Sequence, residues 1–157
     1  MGQFKAEQVG TSPNVSFKFA GHIDEDATFS VLDLNGATSL TLNLEGILAI
    51  NSCGIREWIK WIKTAPAGCK ITYQNCPKVI VDQINMVSGF LPEGAEVESF
   101  MVPYYSDASD TEKMVLFTKG KEFKDGEVFP PEDVKDESGE LMEMDVIEAK
   151  YFKFIKK

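Results

Sequence analysis

One four-residue segment, Asn51-Ser52-Cys53-Gly54, holds the side chains whose types and spacing could do chemistry. It follows an apolar run and precedes apolar residues at helical spacing, so we predict that a helix starts here. A helix N-terminus lowers the pKa of a thiol, which would suit Cys53 to nucleophilic or redox chemistry. The hydroxyl of Ser52 could accept a phosphoryl group or cap the helix, and we favour the cap.

A base that would activate Cys53 is not visible in the sequence around it. His22 is the one histidine of the chain, and a catalytic cysteine needs an oriented base. A glycine-rich phosphate loop of the GxxxxGK type is also missing. We therefore expect Cys53 to be a small packed residue and His22 a surface group. The chain is expected to have no catalytic residue, no metal site and no cofactor.

The periodicity of apolar residues predicts strands and helices in alternation. Val15, Phe17 and Phe19, for example, alternate with polar residues as in a half-buried strand. Asp24 is expected to cap the first helix, and Pro77 to occupy the first position of the third. Strands are predicted at 15–19, 40–50, 69–73 and 96–102, and helices at 24–34, 52–63 and 77–87.

This order of elements predicts an α/β fold at about 15–103, a mixed β-sheet covered by helices on at least one side. After residue 103 the pattern changes to polar, acidic and aromatic stretches. We predict a small β-hairpin there, followed by a short C-terminal helix or strand packed back on the core. The predicted domains are 1–103 and an acidic C-terminal extension, 104–157.

The second predicted helix carries both tryptophans of the chain, three residues apart. Trp58 aligns with Ile55 and Ile62, which predicts that it faces the core. Trp61 is then expected to be partly exposed, and tryptophan is a residue type enriched at protein interfaces. We therefore interpret Trp61 as a candidate partner contact.

The composition excludes several classes of partner. A net charge of -9 is unsuited to nucleic acid or to an anionic membrane surface, because both require a basic face. The N-terminus has no signal-peptide pattern, and no apolar run approaches the roughly 18 residues of a spanning helix. Three cysteines without a CxxC pair fit a reducing compartment. A cytoplasmic location is expected.

Three motifs resemble those of the STAS family, the anti-sigma factor antagonists. They are Phe19-Ala20-Gly21-His22-Ile23-Asp24, Leu42-Asn43-Leu44-Glu45-Gly46-Ile47 and Ile50-Asn51-Ser52-Cys53-Gly54-Ile55, and the resemblance covers about 15–102. It implies a STAS-like sheet, a protein-binding function and phosphorylation by a serine kinase directly before the glycine of the third motif. In this chain Cys53 holds that position, Ser52 precedes it, and Asn51 replaces an aspartate.

The C-terminal extension is similar to a zinc ribbon that has lost its metal. Paired-cysteine turns of such a ribbon correspond to Ser106-Asp107-Ala108-Ser109 and to the acidic loop ending Glu137-Ser138-Gly139. Structural zinc needs four cysteine or histidine ligands, and this part of the chain contains neither residue type. Apolar packing is then expected to hold the hairpin, through Met114, Leu116, Phe117, Phe123, Phe129, Tyr151 and Phe152.

The function implied by the resemblance is that of a non-catalytic bacterial regulatory module. Its partner would be an anti-sigma factor, a serine kinase or a sensor complex, bound without the usual phosphoswitch. The alternative is an antagonist that is switched by phosphorylation of Ser52, and a homodimer is also left open. The predicted partner-binding residues are Asp24, Asn51, Ser52, Cys53, Gly54, Arg56 and Trp61.

Overall fold

The computed structural model of the chain describes residues 3–155. Residues 1–2 and 156–157 lie outside the described residues. They are the ends of the two predicted domains, and residues 1–2 also belong to the N-terminus considered for a signal peptide. Residues 3–155 form ten strands and three helices. In chain order these are β1 (Lys5–Gly10), β2 (Asn14–Ile23), β3 (Ser39–Ile50), α1 (Ser52–Ile62), β4 (Lys70–Gln74), α2 (Lys78–Met86), β5 (Glu96–Val97), β6 (Ser99–Ser106), β7 (Thr111–Thr118), β8 (Phe123–Lys124), β9 (Glu127–Val128), β10 (Glu143–Met144) and α3 (Glu148–Tyr151).

The first sheet has the strand order β1-β2-β3-β4-β5. β1 and β2 pair antiparallel, whereas β2, β3, β4 and β5 pair in parallel. Parallel neighbours need crossover connections, and α1 and α2 lie in the connections before and after β4. The prediction of a mixed α/β fold is thus confirmed, with more strand than helix.

The two faces of this sheet differ in polarity because side chains alternate along each strand. Phe17, Leu42 and Tyr73 are in register across three strands, and all three are buried. The next register positions are occupied by polar residues such as Lys18 and Asn43. The apolar face carries the core, and the opposite face is polar along these strands.

Residues 24–34 do not form the predicted helix. The segment consists of turns, in which the N–H of Ala27 donates to the carbonyl of Asp24 at 3.0 Å and that of Leu32 donates to the carbonyl of Phe29 at 2.9 Å. The carboxylate of Asp24 accepts the N–H of Asp26 at 3.0 Å, but no helix follows for it to cap. A side chain that bonds its own backbone in this way stabilises a turn in competition with a helix.

The strand predicted at 96–102 is divided between two sheets. β5 closes the first sheet, whereas β6 is the middle strand of a second sheet in the order β10-β6-β7. β6 runs through residue 103, the predicted domain boundary, and pairs with β7 as far as Ser106. Apolar side chains of both sheets belong to one hydrophobic core.

A β-hairpin and a short C-terminal helix are present as β6–β7 and α3, but the first strand of the hairpin begins at Ser99, before the predicted extension. The predicted burial of Phe117, Phe123, Tyr151 and Phe152 is also confirmed. It is wrong for three residues, Met114, Leu116 and Phe129, which are 43%, 39% and 51% exposed. Met114 and Leu116 lie on the outer face of β7, which alternates with the inward face that carries Phe117.

The remaining predicted elements need only small changes of boundary. The strand predicted at 69–73 is β4, and the helix predicted at 77–87 is α2, with Pro77 as its N-cap instead of its first residue. No helix among residues 3–155 is long and apolar enough to cross a membrane.

Candidate functional site

The helix predicted at 52–63 is α1, and the side chain of Asn51 caps it. Asn51 has extended backbone angles, and its Oδ1 accepts the N–H of Gly54 at 2.8 Å. The carbonyl of Asn51 accepts the N–H of Ile55 at 2.9 Å, which begins the helical ladder. The preference for Ser52 as the cap is therefore wrong. Ser52 is exposed, and its hydroxyl makes no hydrogen bond to any residue between 3 and 155.

The start of α1 lies directly against the end of β2. The N–H of Asn51 donates to the carbonyl of Ile23 at 3.1 Å. One turn later the backbone of Gly54 approaches so closely that an added Cβ would lie 2.0 Å from the same carbonyl oxygen and 2.5 Å from its carbon. Only glycine, which has no Cβ, permits this contact, so the fold requires glycine at position 54. The contact brings the loop after β2 beside the helix N-terminus.

The predicted site residues differ in their accessibility. Asp24, Asn51, Ser52, Cys53 and Arg56 are exposed or half-buried, whereas Gly54 is buried. Asp24 directly follows Ile23, so the hydrogen bond from Asn51 joins the two segments that carry most of these residues. We call the set Asp24, Asn51, Ser52, Cys53 and Arg56 the α1 rim.

Trp61 does not lie at the surface, contrary to the prediction. Its side chain is 5% exposed, its ring stacks on that of Phe29 at 5.3 Å between centroids, and its indole N–H donates to the carbonyl of Leu32 at 2.9 Å. The reason is the loop at 24–38, which folds over α1 instead of forming a helix of its own. The predicted burial of Trp58 is confirmed, since it is fully buried.

The thiols of all three cysteines are free, and they differ in burial. Cys53 and Cys69 are half-buried, whereas Cys76 is buried. Burial raises the pKa of the Cys69 and Cys76 thiols, which favours their unreactive protonated forms. His22 is exposed, as predicted. Among residues 3–155, no group of three or more histidine, cysteine or acidic side chains could hold a metal ion.

A shallow cavity beside the α1 rim was missed by the sequence analysis. Its volume is about 550 Å³, and it lies between β1 and the loop after β2. Val31 lines it and is 77% exposed, an unusual accessibility for a large apolar side chain. The one feature of the sequence that could have indicated the cavity is this valine, which lies in a segment interrupted by polar residues. The lining residues are Gln3, Phe4, Ala6, His22, Asp24, Asp26, Thr28, Val31 and Leu32.

The cap at Asn51 gives a first testable prediction. Replacing Asn51 by alanine leaves the N–H of Gly54 without its acceptor, so we expect the free energy of unfolding to fall by about 1 kcal/mol. Urea titration followed by tryptophan fluorescence measures it. Asn35→Ala is the matched control, because Asn35 is exposed and donates only through its backbone N–H. Equal losses in the two variants would contradict the capping role.

Comparison with known proteins does not assign the chain to a family. No family model matches it, and no curated protein or solved structure is significantly similar to it.

Proposed function

We propose that the chain is a non-catalytic bacterial interaction module of the STAS type, which binds a protein partner through the α1 rim. The partner class implied by the resemblance is an anti-sigma factor, a serine kinase or a sensor complex. The observation that carries the proposal is the close contact between Gly54 and the carbonyl of Ile23. It supports the proposal because it makes the loop after β2 and the start of α1 one continuous surface.

The chemistry of the α1 rim also favours binding over catalysis. Ser52 and Arg56 are exposed polar side chains, and Glu25 and Asp26 are exposed on the adjoining loop. Such groups can form hydrogen bonds and ion pairs with a partner without a change in their own packing. His22, the one histidine, is exposed and has no hydrogen bond within residues 3–155 that would orient it as a base.

A second candidate function, control by phosphorylation at Ser52, is favoured by one specific observation. Because Asn51 provides the cap, the hydroxyl of Ser52 is free and exposed at the first position of α1. A phosphate there would add about -1.5 to -2 charges beside the positive end of the helix dipole. It would also add negative charge near Glu25 and Asp26 of the loop after β2, so it would change the charge of the surface that a partner meets.

Affinity capture from host lysate tests the proposed surface. The baits are the wild-type chain, Ser52→Asp and the control Ser88→Asp, which adds the same charge at an exposed serine just beyond α2. We expect one regulatory protein, identified by mass spectrometry, to be retained by the wild type and by Ser88→Asp. We expect Ser52→Asp to retain at least tenfold less of it, since the new carboxylate lies within the α1 rim.

The outcomes separate the alternatives. Equal capture by all three baits would contradict the role of the α1 rim, and no capture by the wild type would remove the support for a STAS-type function. Incubation with the captured kinase and ATP, followed by phosphate mapping, tests the second candidate. Absence of phosphate on Ser52 in an assay that modifies another substrate of that kinase excludes the switch.

A further inference from the structure

The acidic segment of the extension, residues 132–143, ends at β10, where Glu143 pairs with Tyr105 of β6. Before β10, the carboxylate of Asp136 contacts the turn after β6. Asp136 Oδ2 accepts the hydroxyls of Ser106 and Ser109, each at 2.6 Å. Ser106 is the last residue of β6, and Ser109 lies in the turn that follows, where its N–H donates to the hydroxyl oxygen of Ser106 at 3.3 Å. The carboxylate therefore joins a turn 27 to 30 residues earlier in the chain to its own segment.

The second oxygen of the same carboxylate organises the local turn. Asp136 Oδ1 accepts the N–H groups of Ser138 and Glu140, each at 2.9 Å. The backbone completes the turn, because the N–H of Gly139 donates to the carbonyl of Asp136 at 3.0 Å. One carboxylate thus receives four hydrogen-bond donors from two separate turns.

These four donors favour the ionised carboxylate. The hydroxyls of Ser106 and Ser109, and after them the N–H groups of Glu140 and Ser138, lower the pKa of Asp136 to about 2. Hydrogen bonds to a charged acceptor are stronger than those between neutral groups. Asp136 is half-buried.

The rest of the acidic segment has few apolar anchors. Val134 and Met142 are its buried side chains, and the N–H of Met142 donates to the carbonyl of Val134 at 2.8 Å. Lys113 of β7 adds a long hydrogen bond of 3.4 Å to the carbonyl of Lys135. Most other side chains between 132 and 143 are exposed and can contribute little to attachment.

We propose that the charged carboxylate of Asp136 joins the loop before β10 to the turn between β6 and β7 in the way that a structural metal ion would, and that this attachment can be lost without unfolding the first sheet. Structural zinc joins two turns through four ligands. Asp136 joins two turns through four donated hydrogen bonds, with the positive and negative roles exchanged. This proposal does not depend on the proposed function.

Hydrogen exchange of Asp136→Asn tests the proposal. The asparagine has nearly the same shape but no charge, and its Nδ2 cannot accept a serine hydroxyl. We expect the amides of Ser138 and Glu140 to exchange at least about tenfold faster, because their acceptor loses its charge. The amide of Ser109 should also exchange faster, because its acceptor, the hydroxyl of Ser106, is held by Asp136. Tryptophan fluorescence should be unchanged, since both tryptophans pack in the core of the first sheet.

The control is Asp133→Asn, which removes the same charge from an exposed carboxylate three residues earlier. Equal exchange rates in the two variants would overturn the proposal. Loss of the native tryptophan emission in Asp136→Asn would also overturn it, because the first sheet would then depend on this attachment. A chelator should leave the exchange rates of the wild type unchanged. Faster exchange on adding it would show that a metal ion, rather than the carboxylate, holds the segment.

Discussion

Gly54→Ala should destabilise the chain by about 3 kcal/mol or more. The added Cβ would lie 2.0 Å from the carbonyl oxygen of Ile23, and this neighbour is backbone that cannot rotate away. Overpacking a core costs about 1–3 kcal/mol, and a clash with backbone belongs at or above the upper end. The whole stability of a domain is about 5–15 kcal/mol.

Urea titration of Gly54→Ala and of a control alanine variant measures the effect. Gly89→Ala is the control, because Gly89 has a φ of +90° but an added Cβ there meets nothing within 4 Å. The control should lose only the cost of a left-handed backbone, about 1–2 kcal/mol. A loss in Gly54→Ala no larger than that of the control would mean that α1 can move away from β2. The surface proposed for partner binding would then not be rigid.

Trp58→Ala should cost about 3–5 kcal/mol, the range for removing a large buried aromatic side chain. Trp58 is fully buried, and its ring lies within 6 Å of five other aromatic rings, at centroid distances from 5.4 to 5.9 Å. Its indole N–H donates to the hydroxyl of Tyr73 at 3.0 Å, and that hydroxyl donates to the carbonyl of Phe90 at 2.5 Å. The truncation removes the packing of the ring and also the first of these two hydrogen bonds.

Far-UV circular dichroism in urea is the suitable measurement, because the substitution removes one of the two tryptophans. Phe129→Ala serves as the control, since Phe129 is 51% exposed and its truncation should change stability by no more than about 0.5 kcal/mol. A loss below about 1 kcal/mol in Trp58→Ala would contradict the central place of this cluster. Trp58→Phe should lie between the two, because it keeps a ring but loses the hydrogen bond.

The elements that were predicted well have a strong local period. Val15, Phe17 and Phe19 alternate without interruption, and Ile55, Trp58 and Ile62 follow a helical period, so β2 and α1 could be located from their side chains alone. The helix predicted at 24–34 was wrong because the side chain of Asp24 stabilises a local turn, and the backbone then continues in further turns instead of a helical ladder.

The errors at the site arise from contacts between residues that are distant in the sequence. Both Asn51 and Ser52 are good N-cap residues, and local sequence does not decide which of them adopts extended backbone angles. That choice follows from the bond between Asn51 and Ile23, a contact with the preceding strand. The burial of Trp61 likewise depends on the loop that carries Phe29, and the role of Asp136 depends on serines 27 and 30 residues away.

The position of β6 restricts how this protein can have evolved. Recombination that exchanged or deleted the extension at residue 103 would cut through the strand and separate Val102 and Phe100 from their neighbours Val115 and Phe117 on β7. All four are buried or half-buried, so a shortened descendant would expose an apolar edge. The two sheets therefore have to be inherited together, and changes in one must remain compatible with the other.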